Sequence, residues 1–168
     1  MHRSDADCRQ SSPSAIVTVR RFDSIVHDGL VAYDLDRFVI AQQHVFDGAL
    51  AELRGGRKTG HWIWFIFPQV AGLGHSEMSR FYGIASLDEA RAYIGHPVLG
   101  PRLRACAEAM LAVAGRTAVE VLGPVDAVKL RSSMTLFNLA ASDEALFGQV
   151  LDRYFDGVQD PATEALLS

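Results

Sequence analysis

Three residues with reactive or charged side chains recur at helical spacing in the second half of the chain. Asp126, Lys129 and Ser133 stand at positions i, i+3 and i+7, so a helix would place them on one face. The apolar neighbours Val128 and Leu130 would partly desolvate the ammonium group of the lysine. A desolvated lysine can bind a phosphate or a carboxylate, or it can exchange a proton. This helix face therefore predicts an anion site with acid–base capacity.

Hydroxyl groups on the same segment strengthen that interpretation. Ser132, Ser133 and Thr135 could donate hydrogen bonds to the anion that Lys129 attracts. The alternative is a surface ion pair between Asp126 and Lys129, worth about 0.2–0.5 kcal/mol, with the serines facing water. Two adjacent serines form helices poorly, which weakens the alternative but leaves both interpretations open.

A second candidate is the aromatic run over residues 60–69, which holds both tryptophans of the chain. Trp62 and Trp64 could form the floor of a pocket on which a planar ring stacks, with His61 or Gln69 contacting the edge of that ring. The alternative is a core segment whose histidine and glutamine bond the backbone. Since bulky residues occupy nearly every position, periodicity fits a buried strand and a buried helix equally well.

A third candidate is the glycine-bearing loop over residues 70–76. Glycine lets the backbone approach a ligand closely, and Ser76 at a helix start would leave free N–H groups for an anion. The loop has neither the dinucleotide-binding fingerprint nor the lysine of a P-loop. An ordinary turn followed by a helix cap is the competing interpretation.

Other catalytic motifs are missing from the sequence. No histidine pair at i, i+4 accompanies a carboxylate, and no Gly-x-Ser-x-Gly elbow occurs. Cys8 and Cys106 have no spacing that suits a disulfide framework or a metal, and Cys106 falls in an apolar helical pattern typical of a buried thiol. We therefore expect no cofactor and no metal.

The elements that must position these residues are predicted to be helices, because apolar residues recur at intervals of three and four and few runs alternate. Capping boxes are predicted at Ser86–Glu89 and Thr117–Glu120. The predicted helices run from Asp34 or Asp36 to about Arg54, from Ser76 to Tyr82, from Ser86 to about Ile94, from Leu99 to Gly115, from Thr117 to Gly123, from about Pro124 to Ala141, from Ser142 through Phe155, and onward from Asp160. The fold class is all-α, a compact multihelical single domain.

Length and composition limit the remaining classes. With 168 residues, 49% hydrophobic, the chain fits one domain over residues 33–168, preceded by a disordered or loosely packed extension over residues 1–32. A net charge of −4 lacks the basic excess of a surface that binds double-stranded nucleic acid. The longest apolar run, Trp62–Phe67, is too short to span a bilayer. We expect a cytoplasmic protein, either a monomer or a weak homo-oligomer.

The chain carries a set of distinctive motifs, which are His61–Gln69, Gly72–Gly74 with Ser76, His96-Pro97, Leu99-Gly100, Arg102-Leu103, Asp126, Lys129-Leu130 and Ser132–Phe137. Together they resemble one bacterial family of domains of unknown function, which sometimes carries the label "calpastatin". The resemblance covers roughly Tyr33 to the C-terminus and implies a compact multihelical domain in which the aromatic run is helical. It implies no activity, and calpain inhibitors of that name are long disordered repeats, unlike this globular chain.

Two functions fit these residues. The first is a metal-independent hydrolase or transferase acting on a small anionic nucleotide or ADP-ribose-like ligand, with His61 or Asp126 as acid or base and Lys129 holding the anion. The second is a non-catalytic module that binds a ligand or a protein partner. Convergence of the indoles and the lysine around one hollow would favour the first.

Overall fold

The computed structural model describes residues 26–27 and 30–168 of the chain. Ten helices lie in one compact unit, Tyr33–Ser168, so the predicted all-α class is confirmed. The helices are α1 (Asp36–Gln42), α2 (Phe46–Arg54), α3 (Ile63–Ile66), α4 (Glu77–Phe81), α5 (Leu87–Gly95), α6 (Leu99–Ala112), α7 (Ala118–Leu122), α8 (Pro124–Ala140), α9 (Ala145–Phe155) and α10 (Pro161–Leu167).

Helix α8 lies at the centre of the packing. It contacts α3, α5, α7, α9 and α10, while α6 packs against α2, α3, α5 and α9. Nine of the 17 residues of α8 are buried, which exceeds what one amphipathic face supplies and explains why most of its sides meet other helices. Among the helices that the structure describes, none is both long and apolar enough to cross a bilayer.

The connection between α7 and α8 depends on a single glycine. Gly123 ends α7 and begins α8 with a φ of 85°, a conformation that residues with a Cβ rarely adopt. Pro124 follows at the first helical position, where its missing N–H costs nothing. This tight entry places the first turn of α8, which carries Asp126, close to the end of α7.

The predicted helix from Asp34 or Asp36 to Arg54 is wrong in one respect, because the structure divides it into α1 and α2. The N–H of Gln43 bonds to the carbonyl of Ile40 and that of Val45 to the carbonyl of Gln42, at 3.3 and 3.2 Å, so the chain tightens into three-residue turns. The buried Gln42 side chain donates to the carbonyl of Phe65 at 2.7 Å. This bond caps the end of α3 and fixes α1 against it.

The two predicted capping boxes differ in outcome. At Thr117–Glu120 both reciprocal bonds form, so this prediction is confirmed. At the start of α5, Ser86 accepts from the N–H of Glu89, but the buried carboxylate of Glu89 accepts from the N–H of Ala85 at 2.7 Å and pairs with Arg37 at 2.7 Å. The second box is therefore half formed, because its return bond reaches the residue before the cap instead of the cap itself.

The ends of the last two helices also test the sequence. The helix predicted to begin at Ser142 begins three residues later, as α9, and the Glu144 carboxylate before it accepts two bonds from Arg104 at 2.7 and 2.9 Å. The last helix begins at Asp160 as predicted, and the Asp160 side chain caps it by accepting from the N–H of Thr163 at 3.1 Å. Val128, predicted to be an apolar neighbour of Lys129, lies 60% exposed on the outside of α8.

Residues 26–27 and 30–31 form a short antiparallel hairpin, which is described by itself. Val26 pairs with Val31 and His27 with Leu30. Cys8 and most of the extension predicted over residues 1–32 lie outside the described residues.

Candidate functional site

The aromatic run forms one helical turn, α3, that ends before Pro68 because the helical conformation is disfavoured for a residue that precedes proline. Its two tryptophans have different surroundings. Trp62, at the start of the turn, is 1% exposed, whereas Trp64 is half-buried and faces α8. Trp62 therefore belongs to the core, and Trp64 is the indole that a ligand could reach.

A carboxylate from α2 fixes the chain on the approach to Trp62. One oxygen of Glu52 accepts hydrogen bonds from the N–H groups of Thr59 and Gly60 and from the indole N–H of Trp62, at 2.7, 3.0 and 2.9 Å. Burial opposes ionisation, but the bonds from Gly60, Thr59 and Trp62 prevail and lower the pKa of Glu52 to about 2. An ionised Glu52 thus anchors residues 59–62 to α2.

The centre of the candidate site is Asp126, whose carboxylate lies between two ammonium groups. Lys129 donates to Oδ1 at 2.9 Å from one turn further along α8, and Lys58 contacts Oδ2 at 2.8 Å from the loop after α2. The side chains of Lys129, Lys58 and Asp126 are 19%, 8% and 17% exposed, so all three are largely withdrawn from water. We call Lys58, Asp126 and Lys129 the charged triad.

Each ammonium group of the charged triad also lies over an indole. Lys129 Nζ is 4.6 Å from the ring centroid of Trp64, and Lys58 Nζ is 5.0 Å from that of Trp62. The negative faces of the rings attract the cations at these distances. Lys129, which is distant in sequence, therefore meets Lys58 and the two indoles at one place between the loop after α2, α3 and α8.

Asp126 is held in its ionised form. Burial acts to raise its pKa, but the hydrogen bonds and charges of Lys58 and Lys129 outweigh burial and lower the pKa below the ordinary 3.8. The position of Asp126 in the first turn of α8 also suits a negative charge, because the helix dipole is positive there. With two cations and one anion, the charged triad carries a net charge of +1.

The loop that carries Lys58 is fastened at several points. The backbone N–H of Lys58 donates to the carbonyl of Val121 in α7 at 2.8 Å, and its ammonium group donates to the carbonyl of Gly60 at 2.5 Å. Arg116 donates to the carbonyl of Gly56 at 3.0 Å. These bonds hold Lys58 in a fixed position, so it differs from Lys129, whose described bond is the one to Asp126.

Ser133 lies on the same face of α8, one turn beyond Lys129, as its spacing predicts. Its side chain is fully buried, and among the described residues its hydroxyl is the buried side-chain group that has no hydrogen-bond partner. An unpaired buried hydroxyl costs about 1–3 kcal/mol. Because its side chain is fully buried, Ser133 is not open to a ligand, although it shares a helix face with Lys129.

Ser132 and Thr135 point to another part of the molecule. Ser132 donates to the carboxylate of Asp160 at 2.9 Å, and Thr135 accepts from the N–H of Asp160 at 2.9 Å. Thr135 also returns its own proton to the carbonyl of Arg131. These two hydroxyls join α8 to the start of α10 and do not contact the charged triad.

The remaining predicted site residues lie around the aromatic run. His61 is exposed and sits between Gly60 and Trp62, both of which contact Lys58. Gln69 is half-buried beyond Pro68, and its carbonyl accepts from the N–H of Ile84 at 2.9 Å. Ser76 is exposed and caps α4, accepting from the N–H of Ser79 at 3.1 Å, so the short helix predicted there is confirmed.

Sequence reasoning did not find Lys58 or Glu52, because both act through partners on other elements. One signal was available for Lys58. Of the 16 basic side chains in the chain two are lysines, Lys58 and Lys129, and both contact one carboxylate. The scarcity of lysine is therefore the sequence signal that could have singled out Lys58, which helical spacing could not do.

The structure also shows the surroundings of Cys106 and of the side chains that could bind a metal. Cys106 is buried, as predicted, and its burial raises the pKa of the thiol to about 12, so it is protonated at neutral pH. Over the described residues, no three histidine, cysteine or acidic side chains gather as metal ligands do.

Comparison with known proteins identifies the family. Residues 32–167 match the family described as "Protein of unknown function (DUF1810)". The chain belongs to this family. Its structure is similar to the crystal structure of the conserved hypothetical protein Rv1873 from Mycobacterium tuberculosis, with 50% sequence identity, a TM-score of 0.79, and coverage of 80% of this chain and 96% of that chain. No curated protein matches it. The predicted membership of a family of unknown function is confirmed, and neither description carries the label "calpastatin".

The Glu52 contacts of this DUF1810 domain generate a prediction about stability and pH. Glu52→Gln should lower the free energy of unfolding by about 1–3 kcal/mol at pH 7, because charge-assisted hydrogen bonds are lost. The folded-state pKa of about 2 lies below the ordinary 4.5, so the contribution of the charge is complete above about pH 4.5 and disappears toward pH 2. Urea unfolding from pH 2 to 7 should show the two proteins converging at the acid end, and a constant difference would contradict this account.

The adjacent serines of the DUF1810 domain form a matched pair for a second prediction. Ser133→Ala should raise the free energy of unfolding by roughly 1 kcal/mol, because it removes an unpaired buried hydroxyl. Ser132→Ala should lower it by roughly 1 kcal/mol, because it removes the bond to Asp160. Both variants gain the same helix propensity, so the difference between them in urea unfolding isolates the hydroxyls. Equal effects would show that Ser133 is paired in solution.

Proposed function

We propose that the charged triad and Trp64 bind the anionic group of a small nucleotide-like or ADP-ribose-like ligand. The observation that carries this proposal is the meeting of both lysines of the chain at Asp126, each over an indole. Ammonium groups supply attraction for phosphate, and a half-buried indole supplies a surface for a planar ring. Ligand sites commonly combine such an apolar wall with a few convergent polar groups.

Exposure and bonding support a different role for each lysine. Lys129 is the more exposed of the two lysines and has fewer described bonds, so it is the cation that contacts the ligand. Lys58 is 8% exposed and tied to the Gly60 carbonyl, so it holds Asp126 in place. Trp64 is the half-buried indole beside Lys129, and the exposed His61 stands one residue from a contact of Lys58.

As an enzyme, the protein would be a hydrolase or transferase in which His61 or the carboxylate of Asp126 accepts a proton. The lowered pKa of Asp126 keeps its carboxylate ionised, which suits an electrostatic stabiliser, makes it a weak proton acceptor and does not suit a proton donor at neutral pH. Binding without turnover would identify the protein as a ligand-binding module instead. The cytoplasmic compartment and the monomeric or weakly oligomeric state stay predictions from the sequence.

The proposal predicts ligand-dependent stabilisation that requires Lys129. A ligand at about 100 times its Kd stabilises the fold by about 2.7 kcal/mol, which raises the Tm of a chain of this size by roughly 5–10 °C. Phosphate, ADP and ADP-ribose should be screened by thermal shift against the wild type and Lys129→Met, with product analysis by chromatography. We expect at least one of these ligands to raise the Tm of the wild type and to have little effect on the variant.

Arg80→Met serves as the matched control, because it removes one exposed cation from α4 and leaves the charged triad intact. It should respond to the ligand as the wild type does. A failure of all phosphate-bearing ligands to shift the wild type, or equal shifts in Lys129→Met, would contradict the proposal.

A further inference from the structure

We infer that Asp126 is a built-in competitor for the ligand, which holds Lys129 until an incoming anion replaces it. This inference rests on the proposed function and concerns the regulation of the same site. It assigns different tasks to the two lysines, since Lys129 would move to the ligand while Lys58 would remain on Asp126.

The geometry of the carboxylate supports an exchange. Each oxygen of Asp126 has its own lysine, Oδ1 with Lys129 at 2.9 Å and Oδ2 with Lys58 at 2.8 Å. Releasing Lys129 from Oδ1 therefore leaves the other ion pair intact. Asp126 would keep one cation throughout, so the exchange never leaves an unpaired carboxylate at a largely buried position.

The supports of the two lysines determine which one moves. Lys58 has its backbone fastened to Val121 and its ammonium group bonded to Gly60. Lys129 is more than twice as exposed, and its described polar contact is Asp126. A lysine on a flexible four-carbon stem can turn toward a ligand at low cost, provided that the ring of Trp64 still faces its ammonium group.

The charge balance gives the consequence. With Asp126 ionised the charged triad offers a net charge of +1, and without the carboxylate it would offer +2. An incoming phosphate must therefore compete with a carboxylate that is already in place and already bonded. Removing that carboxylate should strengthen the binding of anions, which is the opposite of what is expected if Asp126 mainly contacts the ligand.

The test is isothermal titration of the full chain with inorganic pyrophosphate and with ADP. Asp126→Asn should bind whichever of these anions the wild type binds about tenfold more tightly, which corresponds to about 1.4 kcal/mol. Asp88→Asn is the matched control, because it makes the same change in net charge at an exposed ion pair on α5. Its affinity should stay within about twofold of the wild type.

The outcomes separate the two claims. If the wild type binds an anion and Asp126→Asn binds it equally or more weakly, the competitor role is wrong while the proposed site stands. Tighter binding in Asp126→Asn together with equally tighter binding in Asp88→Asn would also overturn the inference. If neither the wild type nor Asp126→Asn binds either anion, the inference fails, and the proposed function fails with it when ADP-ribose also leaves the Tm of the wild type unchanged.

A second measurement covers the case in which Asp126→Asn does not fold. Because the chain has two lysines, the side-chain ammonium signals in NMR spectra of the wild type can be assigned with one lysine variant. Addition of pyrophosphate or ADP should shift the Lys129 signal and leave the Lys58 signal nearly unchanged. Shifts of both signals to the same extent, or of Lys58 alone, would overturn the inference.

Discussion

The structure of the site depends on one carboxylate shared by two ammonium groups. Charges that are largely withdrawn from water are tolerated only when they are paired, and Asp126 pairs with Lys58 on one oxygen and with Lys129 on the other. Those pairs join the loop after α2 to the first turn of α8. The two ammonium groups also contact the faces of Trp62 and Trp64, so the same cluster helps to position α3.

Neighbouring residues of the same type make different contacts. Trp62 is sealed in the core with its N–H on Glu52, whereas Trp64 remains half-buried beside Lys129. Ser132 joins α8 to Asp160, while Ser133 is buried without a partner among the described residues. A cluster built only for stability would pair all of its polar groups, because an unpaired one is costly. Among the described residues the one buried side-chain group without a partner, Ser133, lies one turn beyond Lys129 on α8.

Local patterns in the sequence predicted what depends on local contacts. The capping box at Thr117 and Glu120 and the caps at Ser76 and Asp160 form because their partners lie three residues away. Local patterns could not predict the break in the helix after Gln42, because the Gln42 side chain bonds to the carbonyl of Phe65, which is distant in sequence.

The same limit applies to the candidate site. The shared face of Asp126, Lys129 and Ser133 follows from spacing on one helix, but Lys58 joins Asp126 from 68 positions away. The sequence did not point to Glu52 either, because this side chain accepts hydrogen bonds from the N–H groups of a loop whose path the sequence does not specify.

The most direct measurement of the central claim is a double-mutant cycle on the free energy of unfolding, with Lys58→Met and Asp126→Asn. The account predicts a coupling energy of about 1 kcal/mol or more, as residues in contact give, whereas additive effects within about 0.3–0.5 kcal/mol would contradict it.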